Sequence, residues 1–465
     1  MKKLTKRPQM LLYAVSGMGV NMLNLMMGSY ICSALLVGGF GEKAIPYQTF
    51  TGHDLVIAGV WAVFVLIAKI VDGVIDIPMA SFTDRLKSKF GRRRPSLIFG
   101  LVPMIAAYLL FLVIPDRSGA SILNTVYYGL LLCVFYSFYT LTMVTYYATF
   151  TEIVGNVQDR NFIGNVKSVC DIVYFILGYV VVRMLLNGLN IRIVALIVLP
   201  MVLTMLIPLF MIKEKSSLPE DVEKRRSEGE EDEAFEEPLQ TVSLVKSLAA
   251  TFKNRAFIIW MCVYSLMTFG VQLFLGGINE YFSYVGMNMI FVMMSAFAPV
   301  PFTLLIYNRL MKKHGFGFSF RYTLLMFAVG MLAMFGVSFL PAGTLKTVLS
   351  IVTGLISSFA IGSLFSVAYS VPAELAAEEE KKTGISNSAM YFAVQGLFSG
   401  VATGIGTGIV LTALKGTEGQ KSGNIVYMTL IAAIGMIVAF LLTYILPRSI
   451  VKMGREKETI DRKDN

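Results

Sequence analysis

The sequence predicts an all-α polytopic membrane protein, and three observations carry that prediction. Hydrophobic residues fill 55% of the 465 positions, charged residues fill only 15%, and apolar runs recur from end to end. Mean hydropathy is +0.68. A helix needs about 20 apolar residues to cross the hydrocarbon core, and twelve stretches meet that need: 10–37, 53–81, 96–114, 121–150, 162–186, 190–212, 255–284, 288–311, 319–340, 344–375, 384–414 and 424–446.

Span one follows MKKLTKRPQM, a charged start of the kind that opens a secretory signal. The apolar stretch behind it is too long for a signal and lacks a small-residue cleavage pattern, so it is expected to be retained. Cys32, Cys133, Cys170 and Cys262 all fall within apolar spans, where they pack as small hydrophobes and form no disulfide framework.

The net charge of +10 raises nucleic acid as a partner. Its distribution argues for topology instead. Lys2, Lys3, Lys6 and Arg7 precede span one, Arg85 to Arg94 follow span two, Lys312 and Lys313 follow span eight, Lys381 and Lys382 follow span ten, and Arg448, Lys452 and Arg455 close the chain. Basic residues in alternate loops obey the positive-inside rule. The expected location is the cell membrane, multi-pass, with both termini cytoplasmic.

The one long polar interruption, KEKSSLPEDVEKRRSEGEEDEAFEEP from Lys213 to Pro238, has the composition of a solvated linker, partly disordered. It divides the spans six and six. The expected organisation is an N-terminal half over 1–212, a cytoplasmic linker over 213–252, a C-terminal half over 253–446 and a cytoplasmic tail over 447–465. The halves echo each other: DRLKSKFG (Asp84 to Gly91) follows span two and NRLMKKHG (Asn308 to Gly315) follows span eight. Parallel duplicated halves are a hallmark of rocker-type secondary transporters, whose binding site lies near the midplane between them.

Within that repeated loop Gly91 permits a tight turn, the basic residues favour the negative end of span two, and Pro95 suits the first turn of span three. Asp84 has an arginine within reach. Arg85, Arg92, Arg93 and Arg94 are read either as topology determinants alone or as holding a cytoplasmic gate as well. Asp159 and Arg160, between spans four and five, are candidate gate partners.

Asp72 and Asp76 share one face of span two. Charge placed in a bilayer costs about 2.5–3.5 kcal/mol per residue on insertion scales, so an intramembrane acid pair marks a functional site by default. The competing reading pairs Lys69 with Asp72 at i,i+3 and leaves Asp76 accepting hydrogen bonds from a neighbouring helix. Span four is rich in tyrosine, FYSFYTLTMVTYYATF from Phe135 to Phe150, and phenol rings suit stacking on a sugar as well as helix packing. Asn24, Asp171, Gln272, Asn279 and Glu280 either face a cavity or hold helices together.

DGVIDIPM from Asp72, the basic loop, YFSYV from Tyr281 to Val285 and AELAAEEEKKTGISNSAMYFAVQ from Ala373 to Gln395 together resemble the glycoside-pentoside-hexuronide:cation symporters. This is the melibiose carrier group of the major facilitator superfamily; the GRRRP ending is also similar to sucrose carriers of that superfamily. The resemblance implies twelve transmembrane helices in two six-helix halves. It implies that Asp72, Asp76 and Thr140 bind the coupling cation, and that Tyr139, Tyr147, Lys167 and Gln395 line the sugar pocket. Asn21 stands where the family has a sugar-binding acid, Met143 replaces an acid on span four, Ile75 replaces an amide between the two span-two acids, and Gly400 replaces a span-eleven lysine.

These losses of charge make a melibiose-type galactoside doubtful and favour a less polar glycoside or another apolar-bodied solute. Sodium wants several oxygens whereas a proton needs one carboxylate, so the coupling ion is H+ or Na+ with a lean toward H+. No cofactor is expected beyond that ion. The expected function is symport of a sugar or glycoside by alternating access. The alternatives are a carrier of an amphipathic or lipid-like solute, or a non-transporting membrane sensor derived from such a carrier. The expected partners are a small-molecule solute and the lipid bilayer, with no nucleic acid, and the chain is expected to act as a monomer. An enzyme is not expected: His53 and His314 both sit near span ends, and no Cys/His metal pattern or phosphate-cradling glycine loop is present.

Overall fold

The computed structural model describes residues 6–40, 45–153, 157–212, 214–227, 252, 254–383, 388–416 and 423–452. Every regular element among them is helical. Eleven of these helices are long and apolar enough to cross a membrane. The expected fifth span coincides with a helical run from Val157 to Leu185.

Local chemistry explains where the helices break. In span one, Arg7–Ser16 and Met18–Met26 are separated at Gly17. In span six, Pro200 and Pro208 remove backbone donors, and the helix passes from Ile191–Val198 through a tighter 3-10 stretch, Leu199–Met205, into Leu206–Met211. Span seven divides at Gly277 into Arg255–Gly276 and Ile278–Val285. Span eight divides ahead of Val300, with Pro299 in the break. Three spans carry one wide π turn each near their far ends: Met27–Ile31, Leu177–Val181 and Gly404–Val410. Such turns insert a residue into the helical register and cluster at functional positions.

The chain divides into two units. One comprises Met1–Leu244, Gln272–Ile290 and Gly396–Met428; the other comprises Val245–Val271, Phe291–Gln395 and Thr429–Asn465. The first unit therefore includes the end of span seven and all of span eleven beyond Gln395.

Close helix approach in the first unit depends on glycine. A Cβ on Gly19 would lie 1.8 Å from the Met201 carbonyl oxygen. Span two, Ala58–Arg85, meets span eleven through a ladder. Cβ atoms on Gly408, Gly400 and Gly73 would lie 2.7, 2.4 and 2.5 Å from the carbonyl oxygens of Ala62, Lys69 and Gly396. Small residues let backbones touch and replace side-chain packing with direct van der Waals contact.

The internal repeat is a structural one. Gly91 has φ +83° and Gly315 has φ +86°, and each precedes a new helix, Arg93–Phe111 and Phe316–Ser338. Each glycine also faces the segment after the sixth span of its own half. A Cβ on Gly91 would meet Glu214 at 2.3 Å, and one on Gly315 would meet the Val451 carbonyl oxygen at 2.9 Å.

The first residues of the linker dock against the Gly91 loop. Glu214 accepts a 2.8 Å hydrogen bond from the Arg93 backbone. The Ser217 hydroxyl accepts from the Ser88 backbone at 2.8 Å, and the Ser217 backbone donates to the Ser88 carbonyl at 2.9 Å. A helix follows over Pro219–Ser227. Orphan donors at the start of span three and in its loop need acceptors, and the first residues of the linker supply them.

Candidate functional site

Span two places Lys69, Asp72 and Asp76 one helical turn apart on a common face. Span four, Ile122–Glu152, brings Tyr136 and Thr140 against them. The Thr140 hydroxyl donates to Asp72 Oδ1 at 2.8 Å. Lys69 Nζ stands 3.6 Å from Asp72 Oδ2 and 3.5 Å from the centre of the Tyr136 ring. Asp72 thus has a hydroxyl on one oxygen and an ammonium near the other.

Asp76 is placed differently. Its carboxylate has no hydrogen bond or ion pair among the described residues, and Oδ2 lies 3.5 Å from where a Cβ on Gly396 would sit. Asp72 therefore has the Lys69 ammonium, which the competing reading places there, and the Thr140 hydroxyl beside it together. Asp76 remains as the carboxylate with open acceptor capacity.

The expected sugar-facing residues fall into separate groups. The Tyr139 hydroxyl donates to Asn21 Oδ1 at 3.1 Å, joining spans four and one. Lys167 pairs with Asp171 at 2.7 Å and lies 5.3 Å over the Tyr147 ring, which is 37% exposed. Tyr146 serves packing: it stacks on Tyr13 at 4.9 Å, and each hydroxyl donates to the other residue's carbonyl oxygen. Gln395 belongs to the second unit, where its side-chain oxygen accepts from the Trp260 indole at 2.9 Å.

Of the candidate gate residues, Gly91 forms the expected turn. Arg93 is buried, while Arg92 and Arg94 are half-buried. The side chains of Asp84, Arg85, Asp159 and Arg160 lie outside the described residues.

Sequence reasoning missed several residues. Tyr136 beneath Lys69 was hidden among neighbouring tyrosines. Trp260 was unmarked although the chain has only two tryptophans. Lys415 and Arg183 were passed over at span ends, yet both reach buried partners: Lys415 pairs with Glu280 at 2.6 Å, and Arg183 donates to Asn279 at 2.6 Å. A basic residue closing an otherwise apolar stretch was the available signal.

A hydroxyl-supported acid pair inside a helical bundle with duplicated loops is the furniture of a membrane carrier, and family comparison gives the class. The chain belongs to the family described as MFS/sugar transport protein, whose profile matches residues 12–443. This family includes the melibiose-type carriers of the major facilitator superfamily. The fold is that of major facilitator transporters.

Solved structures with this fold include the nucleoside transporter NupG, at 14% identity and a TM-score of 0.59, covering 94% of this chain and 98% of that one. They include a POT family transporter in complex with a thioalcohol-conjugated peptide, at 11% identity and a TM-score of 0.61, covering 95% and 96%. They also include the xylose transporter XylE from E. coli in an inward open conformation, at 12% identity and a TM-score of 0.56, covering 94% and 95%. At such identities the likeness is one of fold. A comparison with curated proteins gave no match.

Proposed function

We propose that this protein is a symporter that moves a sugar or glycoside by alternating access, coupled to a cation through Asp72 and Asp76. The observation that carries the proposal is the contrast between the two acids. Asp72 is held by Thr140 and faced by Lys69, while Asp76, one turn away, has no partner among the described residues.

That contrast favours the proton as coupling ion. Lys69 already provides a positive charge beside Asp72, so a sodium ion would have to enter against it, whereas a proton needs only the open oxygens of Asp76. Membership of a family described as MFS/sugar transport protein supports a sugar-like solute. The aromatic and amide groups of Tyr139, Asn21 and Tyr147 supply the combination of ring faces and hydrogen-bonding groups that a glycoside requires.

A ligand panel tests the solute class. Purified protein is heated in detergent with glycosides, free hexoses, nucleosides and lysolipids, each in excess. A glycoside that raises the unfolding temperature, with the rise lost in Tyr139→Phe, supports the proposal by mass action. A rise produced only by lysolipids would replace it with a lipid-carrier function.

A further inference from the structure

The YFSYV motif lies in the short helix Ile278–Val285 at the end of span seven, and the acid pair makes no use of it. Its first turn holds Glu280, whose side chain is 0% exposed, paired at 2.6 Å with Lys415, whose side chain is 3% exposed. The Ser33 hydroxyl, at the end of span one, hydrogen-bonds the same Glu280 oxygen. Lys415 also donates to the Ser33 carbonyl oxygen at 2.7 Å and lies 5.2 Å over the Phe40 ring. Three span ends thus close on one ion pair.

A second layer joins the same helix to span five and to the loop after span one. Arg183 donates to Asn279 at 2.6 Å and to Ser283 at 3.1 Å, and the Ser283 hydroxyl donates to Gln48 at 2.8 Å. Backbones seal the edge: a Cβ on Gly38 would come 2.6 Å from the Gly416 carbonyl oxygen and 2.7 Å from that of Lys415. The three spans that bring Ser33, Arg183 and Lys415 to this place are the three that carry π turns, at Met27–Ile31, Leu177–Val181 and Gly404–Val410.

We propose that Ser33, Glu280 and Lys415 form the outer lock of the transport cycle, closed in this structure and broken each time the outer side opens. The inference rests on the alternating-access function proposed above. Spans one, five, seven and eleven all run away from the amino terminus, so in the expected topology their far ends lie outside.

Two features suit the cluster to repeated opening. Among the described residues Glu280 Oε2 and Asn279 Nδ2 are buried with no hydrogen-bond partner, so closure leaves polar atoms that water would satisfy on opening. A buried ion pair also exchanges attraction for desolvation, which keeps closed and open states near balance. The π turns provide the places where each span end changes register without unwinding the rest of the helix.

The test uses Cys32, half-buried and adjacent to Ser33, as the reporter. Cys133, Cys170 and Cys262 are replaced by alanine in the full chain, and intact cells are treated with a membrane-impermeant maleimide. Glu280→Gln and Lys415→Met are each expected to label Cys32 about tenfold faster than the parent, because loss of the pair shifts the population toward the open state. The swap of Glu280→Lys with Lys415→Glu is expected to return the rate toward the parent's. Parent-like rates in both single variants, with monodisperse protein, overturn the lock.

If a single variant fails to fold, Ser33→Ala, which removes only one hydroxyl, decides: acceleration supports the lock and an unchanged rate overturns it. The assay needs no solute. Failure here therefore leaves the symport proposal standing, and failure to find glycoside symport leaves an accelerated labelling rate intact.

Discussion

Gly400 stands so close to Lys69 that a Cβ on the glycine would lie 2.4 Å from the Lys69 carbonyl oxygen. No side chain fits between spans two and eleven at this level. The positive charge beside Asp72 comes from Lys69, on the same helix as the acids.

Gly400→Ala should therefore lower the unfolding temperature, by an amount equivalent to about 1–3 kcal/mol, the usual cost of forcing extra volume into a packed contact. Gly336→Ala is the control, since a Cβ there meets nothing within 4 Å. Thermal unfolding of both purified variants in detergent checks the difference; equal shifts would remove the packing argument.

The paired turns make a second prediction. Gly91 and Gly315 both hold positive φ, where a residue with a Cβ pays about 1–2 kcal/mol. Gly91→Ala and Gly315→Ala should each be destabilised by that amount or more, because each new Cβ also meets a neighbour closer than 3 Å. Unfolding temperatures would show it, and an unaffected Gly315→Ala would break the proposed equivalence of the two loops.

Thr140→Val removes the hydroxyl bonded to Asp72 and keeps the side-chain volume. A hydrogen bond to a charged group contributes about 1.5–3 kcal/mol and favours the ionised carboxylate, so without it the apparent affinity for a coupling proton should rise, by about tenfold or more. Uptake measured against ion concentration reads that shift.

Tyr139→Phe breaks the 3.1 Å bond to Asn21 without emptying the space. If this pair contacts solute in the ground state and the transition state alike, KM should rise with the maximal rate unchanged. Initial uptake rates over a range of solute concentrations test this, and a lower maximal rate at constant KM would move Tyr139 out of the binding site.

Much of this arrangement was legible in the sequence. The i,i+3 and i,i+4 spacing of Lys69, Asp72 and Asp76 fixes a shared face whatever the tertiary packing, and the Gly91 and Gly315 loops carry their turn chemistry locally. Glu280 with Lys415 was not legible, because no periodicity links residues on different spans and a charge near a span end reads equally well as an interfacial group. The meeting of the Gln395 amide with Trp260 was not legible either, because it is set by how two helices pack. The glycines of span eleven announced close approach, while the partner surface on span two needed the fold to be seen.

The central claim is that Asp76 takes up the coupling ion when solute binds. Protein reconstituted in liposomes containing a pH-sensitive dye tests it most directly, with glycosides added outside, with and without sodium, for the parent chain and for Asp72→Asn and Asp76→Asn. A glycoside-triggered acidification that persists without sodium and disappears in Asp76→Asn is the predicted result. Undiminished solute-driven proton entry in Asp76→Asn, or uptake that requires sodium and moves no protons, would contradict it.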